Sequence, residues 1–172
     1  MRIYLIGFMG SGKTTVGKKL ATRLSCEYLD LDDYIEQQEQ DSIKNLFEKK
    51  GEAYFREQER LYLRNIPDDK SYIISTGGGA PCFFDNIDFM NKTGLTVYLK
   101  LKPEQLFSRL ESQREKRPLI SSKKDDRALL QYIVDKLNER EGYYQKARLI
   151  VDGYHLNLDE LYHKINTINS LL

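Results

Sequence analysis

Residues 3–15, Ile3-Tyr4-Leu5-Ile6-Gly7-Phe8-Met9-Gly10-Ser11-Gly12-Lys13-Thr14-Thr15, carry the strongest structural signal in the sequence. Residues 7–14 fit the pattern G-x-x-x-x-G-K-[ST] of phosphate-binding loops. The apolar run before the glycines is typical of a buried strand, and the apolar positions after them, Val16, Leu20 and Leu24, recur every four residues as in a helix. A strand, a glycine-rich loop and a helix in this order predict that the loop binds phosphate.

The loop residues have the chemistry that a nucleoside triphosphate requires. Glycines let successive backbone N–H groups point at phosphate oxygens, and the start of the helix adds its positive dipole end. Lys13 can place a charge on the β- and γ-phosphates, and the Thr14 hydroxyl can bind Mg²⁺. We therefore expect ATP as co-substrate, Mg²⁺ as cofactor and nucleotide contacts from Gly10, Ser11, Gly12, Lys13, Thr14 and Thr15.

Outward from this loop, short apolar segments alternate with helical patterns. Further strands are predicted at 27–30, 71–75, 95–99 and 149–151, and two helices at 42–50 and 52–65 on either side of Gly51. The apolar segment 80–84 predicts packing rather than chemistry. No repeat or linker divides the chain. These features predict a single α/β domain over residues 1–172, a three-layer α/β/α sandwich with a five-stranded parallel sheet.

Composition excludes several classes of protein. The 27 Lys and Arg residues balance 26 Asp and Glu residues among the 172, so no overall field favours nucleic acid or an anionic membrane. No apolar run is long enough to span a membrane, and no signal peptide is evident. Cys26 and Cys82 lie far apart and are expected to be free thiols. We expect a cytoplasmic monomer without nucleic-acid or membrane partners.

Acidic and glycine residues after the predicted strands indicate the acceptor of the phosphate. Ser75-Thr76 ends the third strand without the carboxylate that switches and motors carry there, so Asp30 is the candidate for the metal. Asp30 and Asp32 share one side of extended chain. An alternative for Asp32 and its neighbour Asp33 is a role in starting a helix.

Arg56 and Glu59 lie at i and i+3 of a predicted helix and are therefore neighbours. They could form an ordinary surface ion pair, or Glu59 could hold the guanidinium for bidentate binding of a substrate carboxylate. Gly77, Gly78 and Gly79 would allow a ligand to approach the backbone closely, whereas a tight turn needs only one glycine.

Six motifs together resemble the shikimate kinase family: Gly7-x-x-Gly10-x-Gly12-Lys13-Thr14, Asp30-x-Asp32, Gly51-Glu52-x-x-Phe55-Arg56-x-x-Glu59, Thr76-Gly77-Gly78-Gly79, Arg117-Pro118-Leu119 and Arg140-x-x-x-Tyr144. The resemblance implies a fold like that of P-loop nucleoside monophosphate kinases. It also implies an acceptor-binding subdomain at about 31–60 and a lid at about 110–124. The activity implied is Mg²⁺-dependent transfer of the ATP γ-phosphate to the 3-hydroxyl of shikimate, giving shikimate 3-phosphate and ADP for chorismate and aromatic amino acid biosynthesis.

The same resemblance implies roles for individual residues. Shikimate would contact Asp32, Arg56, Glu59, Gly77, Gly78, Gly79 and Arg140, and the metal would lie near Thr14, Asp30 and Ser75. Arg117 would reach the ATP phosphates from the lid and Arg114 would cover the adenine, while Lys13, Asp32 and Arg117 would be the catalytic residues. Two alternatives remain open: another small-molecule P-loop kinase, such as a gluconate kinase, and a nucleotide-dependent switch without enzymatic activity.

Overall fold

The computed structural model describes residues 1–111, 120 and 125–169. Over these residues the chain forms five strands and seven α-helices. The strands are β1 Arg2–Ile6, β2 Glu27–Asp30, β3 Tyr72–Ser75, β4 Leu95–Lys100 and β5 Leu149–Asp152. The helices are α1 Lys13–Leu24, α2 Leu31–Glu39, α3 Ile43–Arg64, α4 Asn86–Thr93, α5 Pro103–Leu110, α6 Asp126–Tyr144 and α7 Leu158–Asn169.

The strands form one sheet in the order β2-β3-β1-β4-β5, and all four neighbouring pairs are parallel. Alternate residues of β1 enter different cores, because successive side chains of a strand point to opposite faces. Tyr4 and Ile6 pack with residues of α2 to α6, whereas Ile3 and Leu5 pack with α1 and α7. The predicted α/β/α sandwich with a five-stranded parallel sheet is confirmed.

One segment differs from the sequence-based expectation, and one predicted break in a helix is found. The segment after the triple glycine forms a 3₁₀ turn, Ala80–Cys82, and then α4, which the sequence did not reveal. Helix α4 has only eight residues and its N-cap side chain makes no capping bond, so both usual signals of a helix are weak. The two helices predicted on either side of Gly51 are confirmed: α3 consists of two helical segments joined at a kink, where Gly51 is not helical, with φ 82° and ψ 170°.

The ends of three adjacent strands bring the predicted motifs together. Strand β1 leads into the phosphate-binding loop, β3 into the triple glycine and β2 into Asp30. Parallel pairing sets Ser75 opposite both Leu5 and Asp30. Ligands of open parallel sheets bind at the carboxyl ends of the strands, so this edge is the place to look for a site.

Across the ranges that the structure describes, no helix combines the length and the apolar character needed to cross a membrane.

Candidate active site

The loop between β1 and α1 has the backbone of a phosphate cradle. Gly7, Gly10 and Gly12 have φ values of 141°, 78° and 96°, which side chains with a Cβ rarely adopt. The Ser11 hydroxyl is buried and makes no hydrogen bond to the rest of the described chain. Lys13 Nζ donates to the carbonyl oxygens of Gly7 at 2.8 Å and Phe8 at 2.9 Å, so its ammonium group lies over the loop.

A cleft of about 550 Å³ opens beside this loop. Its walls come from the phosphate-binding loop, the start of α1, the ends of β2 and β3, the triple glycine and the last turn of α5. The lining residues are Met9, Gly10, Gly12, Lys13, Thr14, Thr15, Asp30, Asp32, Ser75, Thr76, Gly77, Gly78 and Arg109. Residues predicted to bind the nucleotide and residues predicted to bind the acceptor thus share one cleft.

Asp30 is the centre of a group of oxygen atoms at the end of β2. Its Oδ2 accepts from the Tyr28 hydroxyl at 3.2 Å and from Thr14 Oγ1 at 3.4 Å. Its Oδ1 accepts from the backbone N–H of Asp32 at 3.1 Å, so Asp30 caps α2. The cap expected from Asp32 or Asp33 is therefore supplied by Asp30, two residues before Asp32, and Asp32 and Asp33 lie in the first helical turn.

The oxygen atoms near Asp30 suit a hydrated magnesium ion. The Ser75 hydroxyl is buried, and among the described residues it has no hydrogen-bond partner. Mg²⁺ usually takes one or two carboxylates, hydroxyls and waters together with substrate phosphates. No group of three or more carboxylate, thiol or imidazole side chains in the described ranges could hold a metal by itself. Thr14, Asp30 and Ser75 therefore fit an ion that arrives with the nucleotide.

Asp32 lines the cleft, and its carboxylate is affected by the charges of both Lys13, predicted to bind the nucleotide, and Arg56, predicted to bind the acceptor. Burial and, secondarily, the nearby Asp30 carboxylate raise the pKa of Asp32 to about 6, although the positive charges of Lys13 and Arg56 oppose this shift. A Cβ placed on Gly77 would lie only 2.8 Å from Asp32 Oδ1. Asp32 therefore packs directly on the triple glycine and can accept a proton close to neutral pH.

The Arg56–Glu59 pair is buried rather than a surface ion pair. The side chains of Arg56 and Glu59 are 12% and 1% exposed, and Arg56 Nη1 donates to Glu59 Oε2 at 2.8 Å. On its other edge Arg56 contacts the exposed Glu52 at 3.2 Å. Burial raises the pKa of Glu59 to about 7, against the lowering effect of the Arg56 charge. The alternative of an ordinary solvated pair is therefore not favoured.

The triple glycine is enclosed by the predicted acceptor residues. A Cβ on Gly79 would lie 2.8 Å from Arg56 Nη2, and a Cβ on Gly78 would lie 3.3 Å from Arg140 Nη1. Arg140, on α6, also places its guanidinium 5.6 Å from the Phe8 ring. Glycines are needed here because two guanidinium groups approach the backbone closely.

Two residues of this region were not assigned roles from the sequence. Arg109 donates to the carbonyl oxygens of Ser11 at 3.0 Å and Gly153 at 3.2 Å, which joins α5 and the segment after β5 to the phosphate-binding loop. The Tyr144 hydroxyl donates to the Gly78 carbonyl at 2.6 Å and is completely buried. The spacing Arg140-x-x-x-Tyr144 could have indicated the second contact, because residues four apart share a helix face.

Three further expectations concern the lid and the cysteines. Arg114 and Arg117 lie outside the described residues, as does nearly all of the lid expected at about 110–124. Cys26 and Cys82 are free thiols. Burial raises the pKa of Cys82 to about 11, so this thiol stays protonated and is a poor nucleophile.

Comparisons with known proteins agree with one family. The shikimate kinase family model matches residues 9–168. A curated shikimate kinase of Bacteroides thetaiotaomicron is 45% identical over 161 residues, which cover 94% of this chain and 89% of that protein. A shikimate kinase of Bacteroides fragilis strain YCH46 is 47% identical over 150 residues, covering 87% and 83%.

Solved structures give the same result. The crystal structure of shikimate kinase from Bacteroides thetaiotaomicron has a TM-score of 0.89 and 39% identity, covering 99% of this chain and 98% of that one. Shikimate kinase from Acinetobacter baumannii in complex with shikimate has a TM-score of 0.82 and 34% identity, covering 98% and 92%. A deoxyadenosine kinase of M. mycoides, with a TM-score of 0.57 and 18% identity, shares the fold alone and covers 98% and 99%.

Proposed function

Since this chain belongs to the shikimate kinase family, we propose that it transfers the γ-phosphate of ATP to the 3-hydroxyl of shikimate, giving shikimate 3-phosphate and ADP. The reaction would serve chorismate and aromatic amino acid biosynthesis. The observation that carries the proposal is the buried Arg56–Glu59 pair beside the triple glycine, whose Gly77 and Gly78 line the same cleft as the phosphate-binding loop. A gluconate-type kinase is not favoured, because curated relatives that are 41–47% identical to this chain are shikimate kinases.

The acceptor would bind between α3, α6 and the triple glycine. Arg56 and Arg140 would bind its carboxylate, because a guanidinium pairs two N–H groups with two carboxylate oxygens. Glu59 would hold Arg56 in place, and the N–H of Gly78 would donate to the acceptor. Gly77 and Gly79 would allow its ring to approach. The acceptor-binding subdomain that we propose at about 31–60 would consist of α2 and most of α3.

The donor would bind along the phosphate-binding loop. Gly10, Ser11, Gly12, Thr14 and Thr15 would contact the phosphates, and Lys13 would move its ammonium group from the loop carbonyls to the β- and γ-phosphates. When bound, Mg²⁺ would neutralise phosphate charge, held directly or through water by Thr14, Asp30 and Ser75. Arg117 would add positive charge from the lid, and Arg114 would cover the adenine.

Transfer of the phosphoryl group depends on positioning of the reactants and neutralisation of charge more than on covalent catalysis. Asp32 would orient the 3-hydroxyl of shikimate and accept its proton as the oxygen attacks the γ-phosphorus. The bond from that phosphorus to the bridging oxygen breaks, and the electron pair leaves with ADP. Lys13 and Arg117 would stabilise the charge on the transferred group. We further propose a cytoplasmic monomer that acts on small molecules, without nucleic-acid or membrane partners.

A substrate panel tests the proposal directly. ADP release from ATP is measured with shikimate, quinate, gluconate and nucleoside monophosphates, and only shikimate is expected to support rapid turnover. No shikimate-dependent ADP release would refute the assignment.

The site assignment has a separate test in Arg56→Ala. Losing one partner of a buried charge pair costs about 2–5 kcal/mol, so the KM for shikimate should rise by roughly 30-fold or more. ATP binding should persist, because Arg56 lies beside Gly79, where the acceptor is proposed to bind. If ATP binding is lost instead, the acceptor site is elsewhere.

A further inference from the structure

The segment after the triple glycine packs along α3 through a ladder of stacked side chains. Three arginines of α3 lie one turn apart, and each places its guanidinium near a different phenylalanine of this segment. The pairs are Arg56 with Phe83, Arg60 with Phe84 and Arg64 with Phe89, with Cζ lying 4.1, 5.0 and 4.6 Å from the ring centroids. Cations within about 6 Å of an aromatic centroid are attracted to it.

Of the three pairs, the Arg56–Phe83 pair is the one that reaches the triple glycine. Arg56 contacts Gly79 and the buried Glu59, whereas Arg60 and Arg64 pair with Asp85 at 3.4 and 2.6 Å on the outside of the molecule. The exposed fractions of the side chains agree with this difference: 12% for Arg56, 40% for Arg60 and 24% for Arg64. The Arg60–Phe84 pair is therefore the same type of contact as the Arg56–Phe83 pair, but it lies away from the proposed acceptor site.

The edges of the Arg56 guanidinium are held unequally. Glu59 is buried and fixes Nη1, but Glu52, which contacts Nε and Nη2, has a side chain that is 57% exposed. Exposed ion pairs contribute little to holding a side chain in place. Two phenylalanine rings lie near Cζ of Arg56: Phe83 at 4.1 Å, and Phe55, which is buried in the core, at 5.1 Å. Phe83 therefore supplies the closer ring contact to this guanidinium.

We propose that Phe83 is a positioning residue for acceptor binding: its ring fixes the plane of the Arg56 guanidinium, so that Arg56 receives the shikimate carboxylate in a ready orientation. The inference rests on the proposed function. Phe83 acts through Arg56 and is not assigned a contact with the substrate. Preorganisation of this kind lowers the entropy lost on binding, so its removal should weaken binding of the acceptor and leave the donor side unchanged.

The experiment compares Phe83→Leu with the matched control Phe84→Leu. Phe83→Leu should raise the KM for shikimate by about 3- to 30-fold, the range that a cation–π contact can supply, while the KM for ATP and kcat change little. Phe84→Leu should leave all three unchanged. Phe83→Tyr keeps the ring and should restore the KM for shikimate. If Phe83→Leu does not fold, Phe83→Met takes its place, because it fills similar volume without a ring.

A second measurement separates positioning from a general structural role. The dissociation constants of shikimate and of its neutral carboxamide are measured for the wild type and for Phe83→Leu. The variant should lose affinity for shikimate but much less for the carboxamide, because only the carboxylate needs the orientation of Arg56.

Three outcomes are decisive. A wild-type enzyme that does not phosphorylate shikimate overturns the proposed function itself. An active wild type with equal losses for both ligands, or with equal effects of Phe83→Leu and Phe84→Leu, overturns the role of Phe83 alone. Loss restricted to shikimate and to Phe83→Leu supports it.

Discussion

The Glu59 carboxyl group is completely buried and uses only part of its hydrogen-bonding capacity. Its Oε2 accepts from Arg56, but Oε1 has no partner among the described residues. Burial raises the pKa of Glu59 from 4.5 to about 7, so the folded protein binds this proton more tightly than the unfolded chain does. The stability that the protonated group contributes is full below pH 4.5 and is lost as the pH rises through about 7.

Comparison of the wild type with Glu59→Gln isolates this effect. The free energy of unfolding of the wild type, relative to the variant, should fall between these two pKa values by on the order of 1 kcal/mol per pH unit. Urea unfolding at a series of pH values measures it. Glu52→Gln is the control, since that carboxyl is exposed and contacts the same arginine. A pH-independent difference for Glu59→Gln would contradict the assignment.

Gly79 is the position where one methyl group should disturb the acceptor site most. A Cβ there would lie 2.8 and 3.0 Å from the two terminal nitrogens of Arg56. Gly79→Ala should therefore displace the guanidinium and raise the KM for shikimate by roughly tenfold or more, since charge-assisted hydrogen bonds each contribute about 1.5–3 kcal/mol. Steady-state kinetics measure it, and an unchanged KM would show that Arg56 adapts.

Among the helices, α6 offers a substitution that should stabilise the protein. Gly142 lies near its C-terminal end, and a Cβ there would meet nothing within 4 Å. Gly142→Ala should raise the free energy of unfolding by about 0.5–1 kcal/mol, because glycine loses the most backbone entropy in a helix. Denaturant unfolding checks this, and unchanged kinetics would make the variant a control for Gly79→Ala.

Helix α3 depends on glycine for the opposite reason. Gly51 has free space around it, but its φ of 82° and ψ of 170° fall in a region that is essentially restricted to glycine. Gly51→Ala should destabilise the protein by about 1–3 kcal/mol, through backbone strain rather than through a clash. Urea unfolding measures the change; a neutral result would mean that the backbone relaxes without cost.

The elements that were predicted correctly have signals within their own sequence. Strands β1 and β3 are apolar runs that stop at glycines, and the Ser42 side chain accepts from the N–H of Asn45 at 3.2 Å as the cap of α3. Helix α4 escaped prediction because its stability comes from tertiary contacts, with Ile87 and Met90 buried against the core. Propensity alone does not reveal such a helix.

At the scale of the whole molecule, the presence of two cores should allow the free energy of unfolding to change without a change in the acceptor site. Ile165 of α7 is completely buried in the core that α1 and α7 share, on the sheet face opposite α3 and α6. Ile165→Ala should cost about 2–5 kcal/mol through lost burial and a cavity. The KM for shikimate should not change at temperatures where the variant is folded. A change in that KM would show that the cores are coupled.

The candidate site was largely predictable, because its residues are signalled by motifs that follow strands. Gly12, Lys13, Thr14, Asp30 and Asp32 all line the one cleft. Arg109 was missed because it donates to the backbone carbonyl oxygens of Ser11 and Gly153, which are distant in the sequence. Every residue has a carbonyl group, so residue types do not indicate such contacts. The role of Phe83 was missed for a similar reason, since its partner lies on another element.

The pairing of Ser75 with both Leu5 and Asp30 has a consequence for length variation. One residue inserted within β3 would turn Ser75 to the other face of the sheet and move the triple glycine away from Asp32. Residues 67–70 before β3 are exposed, and they precede the pairing rather than belong to it. Insertions and deletions compatible with activity should therefore accumulate at 67–70 and be absent from β3.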